Sequence, residues 1–201
     1  VDSPSSVTLA GPLLSATSST LTNSGLIGVF NGASLTSTTT SALLQLSGTT
    51  VKNGSSVGSG QGAVLGASGT SGSTVNSISL KGPLLTASSG STLTLAGNII
   101  DLFDGTTLSS TTTDALITLT GGTHSFGTRS LVHLAGRSTK TTTEVADGNT
   151  LTLGTDKMLS TGGVLLEGSG ATITTTKGGM TIDTALVEAS AAQRGRVRLQ
   201  E

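Results

Sequence analysis

The chain has 201 residues, 34% of them hydrophobic, 1% aromatic and 10% charged, with 29 Gly and no Cys, Trp or Tyr. A formal net charge of −1 leaves no field to steer nucleic acid or an anionic membrane surface. The lack of Cys excludes a disulfide framework and a thiolate metal site, and three Phe cannot furnish a conventional aromatic-rich core, so any interior must be thin and aliphatic.

In chain order, the opening Val1-Asp-Ser-Pro-Ser-Ser6 is neither basic nor apolar enough for a signal peptide. With no initiating Met, it reads as the start of a mature or excised product. No apolar run reaches the roughly 20 residues of a membrane span, so no membrane insertion is expected. The first recurring motif follows: two adjacent apolar residues, a small polar one, another apolar one, a polar turn, then a lone Leu or Val about seven residues on. Leu13-Leu14-Ser-Ala16 leads to Leu21, Leu26-Ile27-Gly-Val29 to Leu35, and Leu43-Leu44-Gln-Leu46 to Val51. Gly and Ser then crowd out the apolar pattern over 54–74, which reads as a loop leaving the body of the protein. Ile99-Ile100-Asp-Leu102 with Leu108 resumes the motif, while Leu131-Val132-His-Leu134 lacks the lone partner.

Alternation over four or five positions, rich in Thr, Val and Ile, predicts short strands. Gly and the backbone-competing Ser and Thr disfavour helix. A mean motif spacing of about 17 residues suggests one small coil per motif, ten to twelve coils, and a rod about 50 Å long. Regular Leu/Ile pairs, low charge and positive mean hydropathy argue against disorder.

A longer period overlies this one. Ser6-Val-Thr-Leu-Ala-Gly-Pro-Leu-Leu14 returns as Ser77-Ile-Ser-Leu-Lys-Gly-Pro-Leu-Leu85, and Ser37-Thr-Thr-Thr-Ser-Ala-Leu-Leu44 returns as Ser110-Thr-Thr-Thr-Asp-Ala-Leu-Ile117. A third, distorted copy is expected from Leu151-Thr-Leu153 and Met158-Leu159, echoing Val7-Thr-Leu9 and Leu13-Leu14. In it Leu166-Glu-Gly168 echoes Phe30-Asn-Gly32, and Ala185-Leu-Val-Glu-Ala189 echoes Ala42-Leu-Leu-Gln-Leu46. The expected fold class is therefore all-β: a single parallel β-solenoid over 1–191 with long repeats at 6–76, 77–148 and 149–191, followed by a basic tail at 192–201.

The Gly-Pro-Leu-Leu motif, the apolar pair before a Gly/Asn turn and the Ser-Thr-Thr-Thr tracts resemble the repeats of bacterial surface β-solenoids of the filamentous-haemagglutinin and autotransporter-passenger type. The resemblance covers most of 6–191. It implies export, a right-handed β-helix and a role in adhesion or fibre formation, and it brings no catalytic residue with it.

Candidate sites are few. Asp101 and Asp104 flank Leu102-Phe103 and could begin a Ca²⁺ site, but such an ion takes six to eight oxygen ligands, and solvated turn residues are the simpler expectation. His124 and His133 lack a Ser and carboxylate at triad spacing and read as surface residues. The Thr tracts 38–40, 111–113, 141–143 and 174–176 suggest hydroxyl ladders for ice, a glycan or a second rod, set against plain strand propensity. Arg194, Arg196 and Arg198 alternate in the tail, where charge could close the rod end against edge growth.

No catalytic, cofactor or metal residue is thus assigned, and no enzyme is expected. Acidic residues are scattered, and no Trp or Tyr is present to stack on sugars. The expected function is that of an exported structural protein, extracellular or on the cell surface, whose partner is itself in a fibre or adhesin stalk. The alternative is a binding module showing a Thr-rich face to a glycan, a host surface or ice.

Overall fold

The structure is a computed structural model that describes residues 5–53, 62–68, 76–103, 106–126, 132–135, 159–161, 166–169, 172–174, 187–189 and 197–200. The described residues contain only strands and turns, and every strand is three or four residues long. The first winding holds β1 (Ser6–Leu9), β2 (Leu14–Thr17), β3 (Thr20–Asn23) and β4 (Ile27–Phe30). The second holds β5 (Ser34–Ser37), β6 (Leu44–Ser47), β7 (Thr50–Asn53) and β8 (Leu65–Ser68). The third holds β9 (Ser77–Leu80), β10 (Leu85–Ser88), β11 (Thr92–Leu95) and β12 (Ile100–Phe103), and the fourth β13 (Thr107–Ser110), β14 (Ile117–Thr120), β15 (Thr123–Ser125) and β16 (Val132–Ala135). Beyond them lie β17 (Leu159–Thr161), β18 (Leu166–Ser169), β19 (Thr172–Thr174), β20 (Val187–Ala189) and β21 (Val197–Gln200).

Each strand pairs in parallel with its counterparts in the adjacent windings, giving four sheets: β1-β5-β9-β13-β17-β20, β2-β6-β10-β14-β18-β21, β3-β7-β11-β15-β19 and β4-β8-β12-β16. This is a parallel β-solenoid with four strands per winding. The 17-residue spacing therefore marks half a winding, because each motif contributes two strands: Leu14 lies in β2 and Leu21 in β3, Ile27 in β4 and Leu35 in β5. Six levels at about 4.8 Å per strand make a stack about half as long as the spacing alone suggested. The long repeat is two windings, since Leu14 stacks on Leu44 and Leu44 on Leu85.

The short strands follow from the alternation. Inward residues form continuous aliphatic ladders, such as Leu14–Leu44–Leu85–Ile117 in the second sheet and Ile27–Leu65–Ile100–Val132 in the fourth. Leu44, Leu65, Leu85, Ile100 and Ile117 are essentially inaccessible to solvent. Each such side chain stabilises the fold by about 1.5–3 kcal/mol, offsetting the entropy of ordering its strand. The corner between the second and third sheets is equally repetitive: Ser18, Gly48, Ser89 and Gly121 all have positive φ. Left-handed backbone there turns the chain in one or two residues, and the position recurs because each corner bonds to the next, Ser18 N–H to Ser47 O and Gly48 N–H to Ser88 O.

Three expectations are corrected. The stretch 54–74 is not one loop: Ala63, Val64 and Leu65 are buried, and β8 completes the fourth sheet, because a strand of Leu-Gly-Ala-Ser needs little apolar content once its neighbours cover it. The third copy is out of phase. Leu159 stacks on Leu108 in the first sheet, not beneath Leu14; Leu166 stacks on Ile117 in the second sheet, not beside Phe30; and Val187 stacks on Leu159 in the first sheet. Short apolar pairs look alike in every sheet, so similarity alone does not fix which side of the winding they occupy. The tail, finally, is not wholly separate from the solenoid, since Val197–Gln200 extends the second sheet beyond β18.

Candidate functional site

The outer surface explains the composition. On the first three sheets, through the fourth winding, every outward strand position is Ser or Thr except Gln45 and Lys52. The third sheet is the most uniform. Thr20, Thr50 and Thr92 stack in one column, Thr123 stacks on Thr172 further along, and Thr22 and Thr94 flank Lys52 in the second column. Thr92 Oγ1 donates to Thr50 Oγ1 at 3.2 Å, linking hydroxyls between windings. Hydroxyl and methyl groups thus repeat at about 4.8 Å across strands and about 6.6 Å along them.

The Ser-Thr-Thr-Thr tracts are not part of that face. Thr38–Thr40 and Thr111–Thr113 follow β5 and β13, in the corner between first and second sheets. Their hydroxyls serve the turn: Thr38 Oγ1 donates to Leu9 O at 3.1 Å, while the amides of Ser41 and Asp114 donate to Thr39 Oγ1 and Thr112 Oγ1. Side-chain oxygens that satisfy nearby backbone groups favour turns over ladders. The tract 141–143 lies outside the described residues, and of 174–176 only Thr174 is described, at the end of β19.

The fourth sheet differs from the other three. Its strands carry Gly28, Gly66, Asp101 and His133 in one register column, and Phe30, Ser68, Phe103 and Ala135 in another. The ring of Phe30 lies over Gly28, where a Cβ would sit 2.5 Å from its Cε2. Asp101 is only 6% exposed, so it is a covered residue and not a solvated turn residue. Asp104 lies outside the described residues. Among those described, no three His, Asp or Glu side chains converge as a metal site.

His124 is not the surface residue expected from its type. It occupies an inward position of the third sheet, stacked on Leu93 on one side and Ile173 on the other, and it is fully buried. Nε2 lies 3.0 Å from Gly121 O, and Nδ1 is buried with no partner. Burial pushes the imidazole below its ordinary value of 6.5, with the Gly121 carbonyl opposing. Alternation with Phe126, also inward and fully buried, was the available sequence signal.

The described end of the stack at the first winding is the other distinctive feature. Leu13 is 44% exposed, whereas Leu43, Leu84 and Leu116, at the same place in the next three windings, are fully buried. Val7, Leu9, Leu14 and Leu21 are likewise only partly covered.

These features define a parallel β-solenoid with three hydroxyl-clad faces and an aliphatic spine. Comparisons with models of protein families, with curated proteins and with solved structures find no match to this chain.

Proposed function

We propose that this chain is an exported structural β-solenoid that extends coil on coil into an extracellular fibre or adhesin stalk. The carrying observation is the partly uncovered spine at the first winding, where four short strands present an edge and Leu13 stands out of a ladder otherwise buried. An edge of unpaired N–H and C=O groups over apolar side chains accepts one more winding by strand addition, whether from the same polypeptide or from a second copy. The resemblance to bacterial surface solenoids supports the same reading, as do low charge and hydroxyl-clad sides that give neighbouring rods little repulsion. The 201-residue chain is expected to form filaments with rising concentration, seen by electron microscopy and sedimentation. Leu13→Lys places a charge on the edge and removes about 1.5–3 kcal/mol of burial, raising the concentration required about 10- to 100-fold. A wild-type chain that stays monomeric at high concentration contradicts the proposal.

The Thr columns of the third sheet favour a second reading, a flat face for ice or an ordered glycan. Wild-type protein should then show thermal hysteresis or glycan-array binding, both lost in Thr94→Lys, whose side chain would rise from the exposed centre of the face. A wild type with neither property ends this reading.

A further inference from the structure

The imidazole of His124 takes a place that Leu21, Val51 and Leu93 fill in the three preceding windings. Gly121 O can only accept, so Nε2 carries the hydrogen of that bond and Nδ1 is the bare lone pair. Adding a proton at Nδ1 would create a charged donor inside the aliphatic spine, with no acceptor in reach.

Among the described residues of the neighbouring strands, no compensating charge faces it. The neighbouring strands β11, β13, β14 and β19 contain no titratable residue, and β15 contains none besides His124. In β12 and β16, Asp101 and His133 pair in register in the fourth sheet, and Asp101 alternates with the inward Ile100 and Leu102. Lys52 in β7 stands exposed on the outer face of the third sheet.

We propose that His124 is an acid-sensitive joint: its protonation opens the third sheet at the fourth winding, while the first two windings stay stacked. The sign follows from burial. A group held below 6.5 in the folded chain binds its proton more readily when unfolded, so its contribution is complete above about 6.5 and is lost as pH falls from there toward the folded value. Carboxylates act lower, around 4, so a comparison of pH 7.5 with pH 5.5 isolates the two imidazoles, and the His124 variants separate His124 from His133.

The test is amide hydrogen exchange at those two pH values, corrected for intrinsic rates, on wild type, His124→Leu and His124→Gln. Wild type is expected to lose protection in β15 and β11 at the lower pH, by up to about tenfold, with β2 and β6 unchanged. Both variants should show no such difference, His124→Leu because it restores the ladder and His124→Gln because it cannot titrate. Equal wild-type protection at both pH values, or the same acid loss in either variant, overturns the proposal. Should neither variant fold, the wild-type His124 titration followed by NMR decides. A midpoint below 6.5 accompanied by loss of β15 protection supports the joint, and a midpoint at or above 6.5 overturns it.

Discussion

Gly82→Ala is expected to destabilise the chain by about 3 kcal/mol, whereas Gly11→Ala, in the same motif one long repeat earlier, should leave stability unchanged or raise it by about 0.5 kcal/mol. Both glycines precede Pro-Leu-Leu at the corner leading into the second sheet. At Gly82 a Cβ would lie 2.5 Å from the carbonyl oxygens of Thr40 and Ser41, which belong to the winding beneath. Those are backbone atoms tied into the stack: Ser110 Oγ bonds to Gly82 O from the winding above, and Lys81 N–H to Ser37 O below. No side chain can swing aside, so a methyl group must pry two windings apart. At Gly11 a Cβ meets nothing within 4 Å, and neither glycine has a positive φ that would strain Ala. Only the reduced entropy of the unfolded chain then remains, which favours the folded state. Urea or thermal denaturation of the two variants measures the difference. Equal effects would mean that the windings do not approach at Gly82.

Much of this was legible because a solenoid stacks like on like. Of the inward residues that alternation picks out, Ile27, Leu44, Ile100 and Ile117 are buried and Leu14, in the first winding, is partly covered, and the parallel stacking follows from the return of Ser6–Leu14 at Ser77–Leu85. What spacing could not reveal was when the chain returns over itself. A winding of one motif and a winding of two motifs give the same motif spacing, and the cross-section decides between them. The Thr tracts misled for a related reason: Thr favours strands where methyls pack, but in 38–40 and 111–113 its hydroxyl oxygens are taken up by turn backbone. The hydroxyl face lies instead in isolated pairs such as Thr20 and Thr22 or Thr92 and Thr94, separated by one inward Leu.

His124 and Asp101 were illegible for a different reason. Polar residue types predict exposure on average, and a single covered imidazole or carboxylate departs from that average only because of what stacks above and below it. For His124 the alternation outranks the residue type: Thr123 and Ser125 point outward, so the ring must point in. For Asp101 alternation gives the outer face, and the carboxylate is nevertheless covered there, on a sheet whose Gly28 and Phe30 differ from the hydroxyls elsewhere.

Thr86 lies directly over Gln45, one winding away though 41 residues apart in sequence, and the cysteine-free background permits a direct test of that register. Both side chains are partly exposed on the outer face of the second sheet. Cα atoms at the strand spacing of about 4.8 Å fall inside the range a disulfide spans, whereas atoms two windings apart, at about 9.6 Å, do not. Closing a loop of that length should stabilise the oxidised protein by about 4 kcal/mol. Under mild oxidation Gln45→Cys/Thr86→Cys is expected to form an intramolecular disulfide in nearly every molecule, and Gln45→Cys/Thr118→Cys to form none. Bridging of the 45/118 pair in preference to 45/86, or failure of 45/86 to bridge in the folded protein, would contradict the four-strand winding.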